Sequence, residues 1–442
     1  MAEKIVLTLS GQGANDAIRA GMADVAECLK LIGVSVVPIT FDLADLQYAL
    51  QLMSAGNVKF ALTHLGIGHD ITAVLGEPPA VSGTWGMLQK VLPRRLQRSL
   101  TDTRKPVNIW EALHVPLVKL LPDLPAYFVD HHSDVPRNAV SLYWSPEHAY
   151  FRRRWIPDAR ALMGQFLPRP MAPVLAKNDI NLSLRRSGKF VFVKNGNSPT
   201  ELRRLWRERL PKSVAILIED VADEIAPAGI KPGILHIGDF VAARLAERNI
   251  DPDSAHQLIL YISAQMDDYL RRIKSTMIGE AILDLPVIVQ GDKWQHVDFT
   301  GRRAQLVGGQ DFESSKRLYA EQLGVIDMSP NIDTVPHDRV MRGAGSFATV
   351  LTNRQGWIED KFPGFDELTF EFNPESIKAR VADAIAHPDK YLELGVAFGE
   401  RFREAYPREA FAHQIVEIAE LAKLHYREER PAIQNFFVWP KV

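Results

Sequence analysis

Ile5-Val-Leu-Thr-Leu-Ser-Gly-Gln-Gly13 sets a short apolar run against a glycine turn, and behind it Ile18, Met22, Val25 and Leu29 recur at helical spacing. The pattern predicts a strand, a tight turn and a helix. Gly33 ends that helix, residues 34–39 read as a second strand, and residues 58–63 read as a third after another helical stretch. Continuous β-branched runs separated by amphipathic helices imply parallel strands buried on both faces, since a sheet covered by helices on each side shows no polar face.

Further along, residues 123–132, centred on Ala126-Tyr-Phe-Val129, and residues 139–144 read as later strands of the same sheet. Phe166-Leu-Pro-Arg-Pro-Met-Ala-Pro173 then places three prolines in eight residues, which extends the backbone and marks an interdomain linker. Alternation restarts with a strand at 189–194, a helix at 200–209 and a strand at 214–219. Two helices follow, the second with Leu258, Ile262, Met266, Leu270 and Ile273 on one face. Strands are then expected at 286–290, 305–307, 325–328, 349–351 and 368–372.

The chain therefore reads as α/β, with two Rossmann-like, doubly wound domains facing a central cleft. The expected divisions are a first domain at 1–165, a linker at 166–185, a second domain at 186–424, and a tail at 425–442 packing back toward the first. Ligands of doubly wound sheets bind beyond the carboxyl ends of the strands, so the cleft is the expected site.

Composition narrows the partners. With 52 Lys and Arg against 54 Asp and Glu, the 442-residue chain has a formal charge of −2, so no global field draws nucleic acid or anionic lipid. Any anion site must be built locally. The single cysteine, Cys28, leaves no internal disulfide and falls at core spacing. The N-terminus lacks the segments of a signal peptide, and the most apolar stretch, 115–129, is interrupted by Lys119, Asp123 and three prolines. A cytoplasmic protein without a transmembrane segment is expected.

Several constellations bear on chemistry. Gly11-Gln-Gly13 lacks the third glycine of a dinucleotide fingerprint, which argues against an NAD site. Asp130-His131-His132 follows a predicted strand and should point into the cleft, where an imidazole can take a proton from a hydroxyl. No third ligand stands at metal spacing, so the His-His pair does not read as zinc. Asn195-Gly196-Asn197 makes a turn after a strand, either a simple tight turn or one whose N–H groups meet a phosphate. Arg339 and Arg342 lie at i and i+3 at a helix start, where cations oppose the macrodipole unless an anion sits between them. That misfit points to a phosphate. Asp338 reads as the helix N-cap and His337 as a hydrogen-bonding group beside it.

Four segments carry a family resemblance: Val191-Phe-Val-Lys-Asn-Gly-Asn-Ser-Pro199; Leu285-Pro-Val-Ile-Val-Gln-Gly-Asp-Lys-Trp294; residues 319–331, reading YAEQLGVIDMSPN; and His337-Asp-Arg-Val340 with Thr349-Val-Leu-Thr352. In order and spacing they resemble the nucleotide-sugar-binding domain of GT-B glycosyltransferases, particularly the CgeB-like branch of group 1. In the first half, Asn108-Ile-Trp-Glu-Ala and Ala126-Tyr-Phe-Val-Asp-His-His132 are similar to acceptor-domain segments of that branch.

The resemblance implies transfer of a hexosyl or related sugar from a nucleotide-sugar to an acceptor hydroxyl on a glycan, a lipid-linked glycan or a protein. Neither cofactor nor essential metal is implied. Gly291, Trp294, Ser329 and Asn331 join Asn195, Gly196, Asn197, His337, Asp338, Arg339 and Arg342 as donor-side residues, with Asp130 and His131 catalytic on the acceptor side. Asp251-Pro-Asp253 matches the Asp-x-Asp with which another glycosyltransferase class holds metal, but it lies between helices. One departure stands out: Arg342 occupies a place where retaining members carry an acidic residue. An epimerase of the same fold, or a non-catalytic carbohydrate-binding protein, are the alternatives it leaves.

Overall fold

The computed structural model describes residues 5–11, 16–73, 107–133, 135–156, 162–171, 177–427 and 437–438. Gln12, Gly13, Ala172 and Pro173 lie outside them. Two fully parallel sheets carry the architecture. The first runs β15 (Phe437–Val438), β8 (Leu162–Gln165), β7 (Ala139–Tyr143), β6 (Leu117–Leu121), β3 (Val58–His64), β1 (Ile5–Leu9) and β2 (Val36–Ile39) from edge to edge. The second runs β11 (Gln305–Val307), β10 (Ile288–Gln290), β9 (Phe190–Val193), β12 (Gly324–Ile326), β13 (Val350–Asn353) and β14 (Thr369–Phe370). A short antiparallel pair, β4 (Thr72–Ala73) with β5 (Val107–Asn108), stands apart. Strand order reverses between β1 and β3 in one sheet and between β9 and β12 in the other. Those two crevices are where doubly wound sheets take ligands.

The opening segment folds as its periodicity requires. The helix Asp16–Leu31 buries Met22, Val25, Cys28 and Leu29 in one core with Val6, Phe60, Leu62, Val118 and Val140. Burial raises the Cys28 thiol above its ordinary value, in keeping with a core residue.

Two expected strands are not strands. Residues 123–132 form a 3-10 turn, Pro125–Tyr127, and a single helical turn, Asp130–Ser133; the strand is Leu117–Leu121, just upstream. Pro122 and Pro125 cannot donate to a ladder. Lys119, which reads as an interruption in sequence, is a fully buried strand residue whose ammonium donates to the His131 carbonyl at 2.6 Å. Residues 214–219 belong to the helix Lys212–Gly229, in which Ala215, Ile218, Val221, Ala222 and Ile225 are buried. A six-residue apolar window does not separate strand from buried helix; the recurrence over the longer stretch does.

Between β9 and β10 the chain inserts the helices Pro199–Arg209, Lys212–Gly229, Ile237–Glu247 and His256–Ala281. They share one core with Leu124, Ala126, Phe151 and Trp155 from the first half, so the insertion bridges both sheets. Its last helix is the tie: Asp267, 2% exposed, accepts from the Tyr127 hydroxyl at 2.8 Å and from Asn331 Nδ2 at 2.7 Å. Tyr127 lies past β6 and Asn331 past β12.

The chain then returns. The helix Arg408–Arg427 places Phe411, Ala412, Ile415 and Ile418 in the core of the first sheet, and β15 pairs with β8. This return begins at Arg408, ahead of the tail expected at 425–442. The proline segment is pinned from both sides, with Leu167 N–H donating to Gln414 at 2.8 Å and Met171 N–H to the Met341 carbonyl at 3.0 Å.

Candidate active site

Beyond the carboxyl ends of β3, β6 and β7 lie Leu65, Pro122, Asp123 and Trp144, and opposite them stand Met341 and Arg342 of the helix Asp338–Gly345. Together with one face of the helix Asp16–Leu31 they enclose a groove of about 270 Å³. The first half also grips the segment entering the helix Asp338–Gly345. Trp144 Nε1 donates to the Pro336 carbonyl at 2.9 Å, and the buried Glu147 carboxylate accepts from the backbone N–H groups of Asp333 and Thr334 at 2.9 and 3.1 Å. Contacts from the first sheet thereby set the position of His337.

At that helix start a charge cluster lies over the β9/β12 crevice. Asp327, fully buried immediately past β12, accepts from His337 Nδ1 at 2.8 Å, from Arg339 at 3.3 Å and from the Thr352 hydroxyl at 3.1 Å. His337 Nε2 faces Asp338 at 3.0 Å, and Arg342 pairs with Asp338 at 2.8 Å. Burial alone would raise the Asp327 carboxyl; the His337 charge and hydrogen bond, then Arg339, outweigh it and hold the group below its ordinary value. For His337 burial opposes ionisation, and Asp327 and Asp338 on its two nitrogens overcome it, raising the ring above the usual imidazole value. Lys194, just past β9, is pushed down to about 8 by burial and then by Arg339 and Arg271.

This arrangement revises how the helix start was read. Neither His337 nor Asp338 caps through its side chain: His337 occupies the N-cap position without a capping bond, and Asp338 is the first helical residue. The arginines do not share one free face. Arg339 is engaged by Asp327, and Arg342 by Asp338 while lying 4.2 Å over the Phe312 ring. Intramolecular carboxylates therefore supply part of the anionic complement that the misfit demanded.

The other sequence-derived residues fall elsewhere. Asn195 Oδ1 accepts from Asp292 N–H at 3.0 Å and Gly196 N–H donates to the Asp292 carbonyl at 2.8 Å, lacing the β9 and β10 turns together; Asn197 is half-buried beside them. Trp294 is a core residue, 1% exposed, with Nε1 donating to the Lys194 carbonyl at 2.8 Å, and it does not present its ring to a sugar. Gly291 is needed where it is, because a Cβ there would lie 2.2 Å from the Lys194 carbonyl oxygen. Ser329 is fully buried against Asn353 and Gln355, and Asn331 is taken up by Lys274 and Asp267. Gly196→Ala would drive a Cβ to within 2.1 Å of the Trp294 ring. We expect a loss of about 1–3 kcal/mol in urea unfolding, the usual cost of overpacking.

On the acceptor side, Asp130 is exposed on its single helical turn. His131 donates Nδ1–H to the Leu65 carbonyl at 2.5 Å and stacks on Phe128, while His132 is buried against Tyr143. The expected strand end that would aim Asp130 and His131 into the cleft is absent. Asp123 and His64 line the groove instead. Asp123 keeps 37% of its side chain exposed and faces Arg271 at 3.9 Å. His64 is pushed down to about 4 by burial, with Asp123 opposing, and so stays neutral. Sequence reasoning missed Asp123 because it placed the residue inside a strand, although the prolines on either side of it, Pro122 and Pro125, were the available signal for a strand end; His64 directly follows the third expected strand and was not singled out.

Asp251 accepts from the N–H groups of Asp253 and Ser254 at 3.2 Å each, holding the turn before the helix His256–Ala281. Among the described residues no cluster of three or more His, Cys, Asp or Glu is placed to hold a metal, and no helix is long and apolar enough to cross a membrane.

No family model matches the chain, and no curated protein does. Among solved structures it is similar to the T4 phage β-glucosyltransferase in complex with UDP-glucose, at 7% identity over 94% of this chain and 100% of that one, with a TM-score of 0.47. It is also similar to sucrose-phosphate synthase from Thermosynechococcus elongatus, at 11% identity over 95% and 98% of the two chains, TM-score 0.46. A third similar structure is Anabaena Alr3699/HepE in complex with UDP-glucose, at 12% identity over 94% and 99%, TM-score 0.43.

Proposed function

We propose that the protein is a glycosyltransferase of the GT-B form, of the CgeB-like kind, that moves a sugar from a nucleotide-sugar to an acceptor hydroxyl. One observation carries the reading: a surplus of cations at the start of the helix Asp338–Gly345, one tryptophan away from a groove that holds a carboxylate. His337, Arg339 and Arg342 pair there with Asp327 and Asp338, Lys194 adds a further cation beside Arg339, and Trp144 both packs near the His337 ring and lines the groove. Excess fixed positive charge at a helix N-terminus suits a diphosphate.

In this reading the donor diphosphate meets Arg339, Lys194 and the turn at Asn195-Gly196-Asn197, and the acceptor lies in the groove. The acceptor oxygen bonds to the anomeric carbon as the bond from that carbon to the phosphate oxygen breaks. The hydroxyl proton passes to Asp123, and the nucleoside diphosphate leaves with the electron pair. Charge develops on that leaving group, so prearranged cations lower the barrier. Asp123 takes the base role assigned from sequence to Asp130 and His131. The proposed units are a first domain through residue 165, completed by the helix from Arg408 onward, and a second domain from 186.

Protein cations replace a metal in this scheme. Incubation with a panel of nucleotide-sugars and hydroxylated acceptors should release nucleotide from one donor, and excess EDTA should leave the rate unchanged. Turnover lost in EDTA and restored by manganese or magnesium would overturn the metal-free step. Isomerised donor without acceptor would make the protein an epimerase instead.

A further inference from the structure

We propose that the acceptor is an apolar molecule bearing a hydroxyl, a ring or chain body laid along the helix Asp16–Leu31, and not a polysaccharide; this rests on the transfer reading above. A second chamber of about 210 Å³, lined by Phe312 and Tyr319, adjoins the groove beside Asp123 and shares Gly21, Met171 and Arg342 with it. Together the chambers reach the size that encloses a compact organic ligand.

Their chemistry selects the occupant. Ile18, Met22, Val25, Met171 and Met341 line the inner chamber. A buried glycan would leave hydroxyls without partners on such walls, at a cost that apolar contact does not offset. The cations nearby are already committed, Arg169 to Asp24 at 2.9 Å and Arg342 to Asp338 at 2.8 Å. In the inner chamber the polar groups are Asp123, His64 and the two paired arginines, whereas the outer chamber also carries Asp24, Glu27, Glu313, Lys316 and Ser346. An apolar body filling the inner chamber, with one hydroxyl directed at Asp123, matches that lining.

Gly21 supplies the second observation. A glycine inside a helix weakens it, yet this one lies in both chambers, and a Cβ built on it meets nothing within 4 Å. The missing side chain opens the groove and serves no packing contact.

The test uses the whole chain with 2-naphthol as aromatic acceptor, farnesol as aliphatic acceptor and a maltooligosaccharide as glycan. Binding is read by quenching of tryptophan fluorescence, independently of turnover, and transfer by nucleotide release. We expect binding and glycosylation of naphthol or farnesol, and whichever is preferred identifies the body as ring or chain. Gly21→Leu should lower kcat/KM for that acceptor roughly 10- to 200-fold, with nucleotide affinity unchanged and thermal stability not reduced. Glycosylation of the oligosaccharide, undiminished in Gly21→Leu, would overturn the inference. Acceptor binding that Gly21→Leu abolishes, without turnover on any donor, would uphold the groove's ligand class and overturn the transfer reading instead.

Discussion

Asp123→Asn is expected to lower turnover by about 10²- to 10⁴-fold, the range typical of a lost general base, while nucleotide affinity stays unchanged. The side chain lies just past β6, lines the groove, and is 37% exposed, so it can reach a substrate proton. Asparagine keeps the shape and removes the proton acceptor. His64 cannot stand in at full efficiency, since an imidazole held at about 4 is a weak base at neutral pH. Calorimetric titration with nucleoside diphosphate gives the control, because the proposed diphosphate contacts lie across Trp144. Equal turnover in variant and wild type would remove Asp123 from the chemistry.

Asp327→Ala is expected to cost about 3–5 kcal/mol of unfolding free energy, the range for deleting one partner of a buried ion pair. The carboxylate is fully buried and accepts from His337, Arg339 and Thr352, so its removal leaves two cations with Asp338 alone. The pH profile carries the sign. Asp327 is depressed, so its contribution is present above the unfolded carboxyl value and lost as pH falls through the lower folded value. His337 is raised, so its contribution is complete below the unfolded imidazole value and lost as pH rises through the higher folded value. The difference between wild type and variant should therefore be largest in mildly acidic solution and narrow toward alkaline pH. Urea unfolding across that range decides it: a gap that stays constant with pH would sever the link between the two groups.

Much of the fold was legible in the chain because strands and helices announce themselves locally. Ile5–Leu9, the helix Asp16–Leu31, Phe190–Val193 and His256–Ala281 each repeat an apolar pattern over enough residues to name their class. The two misread strands, at 123–132 and 214–219, were short apolar runs whose identity depended on neighbours: prolines that end one run, and a longer helical recurrence around the other.

The candidate site was legible only in part. Charged residues at a helix start were visible as an oddity, and the structure gathers His337, Asp338, Arg339 and Arg342 at one place. Their partner Asp327 is ten residues upstream of His337, at the end of another element, and no local rule connects the two. Trp294 and Ser329 look like ligand contacts in one dimension and prove to be buried.

The sequence by itself determined the class of each long element and the parallel α/β architecture, because periodicity and burial on two faces are properties of contiguous residues. Only the tertiary structure decided which strand ends meet, that Asp123 instead of Asp130 lines the groove, that Asp327 neutralises part of the helix-start charge, and that Gly21 borders a cavity. The physical reason is range: hydrogen-bonded ladders and helical turns follow from neighbours in the chain, whereas ion pairing and cavity shape follow from residues that folding brings together from distant positions.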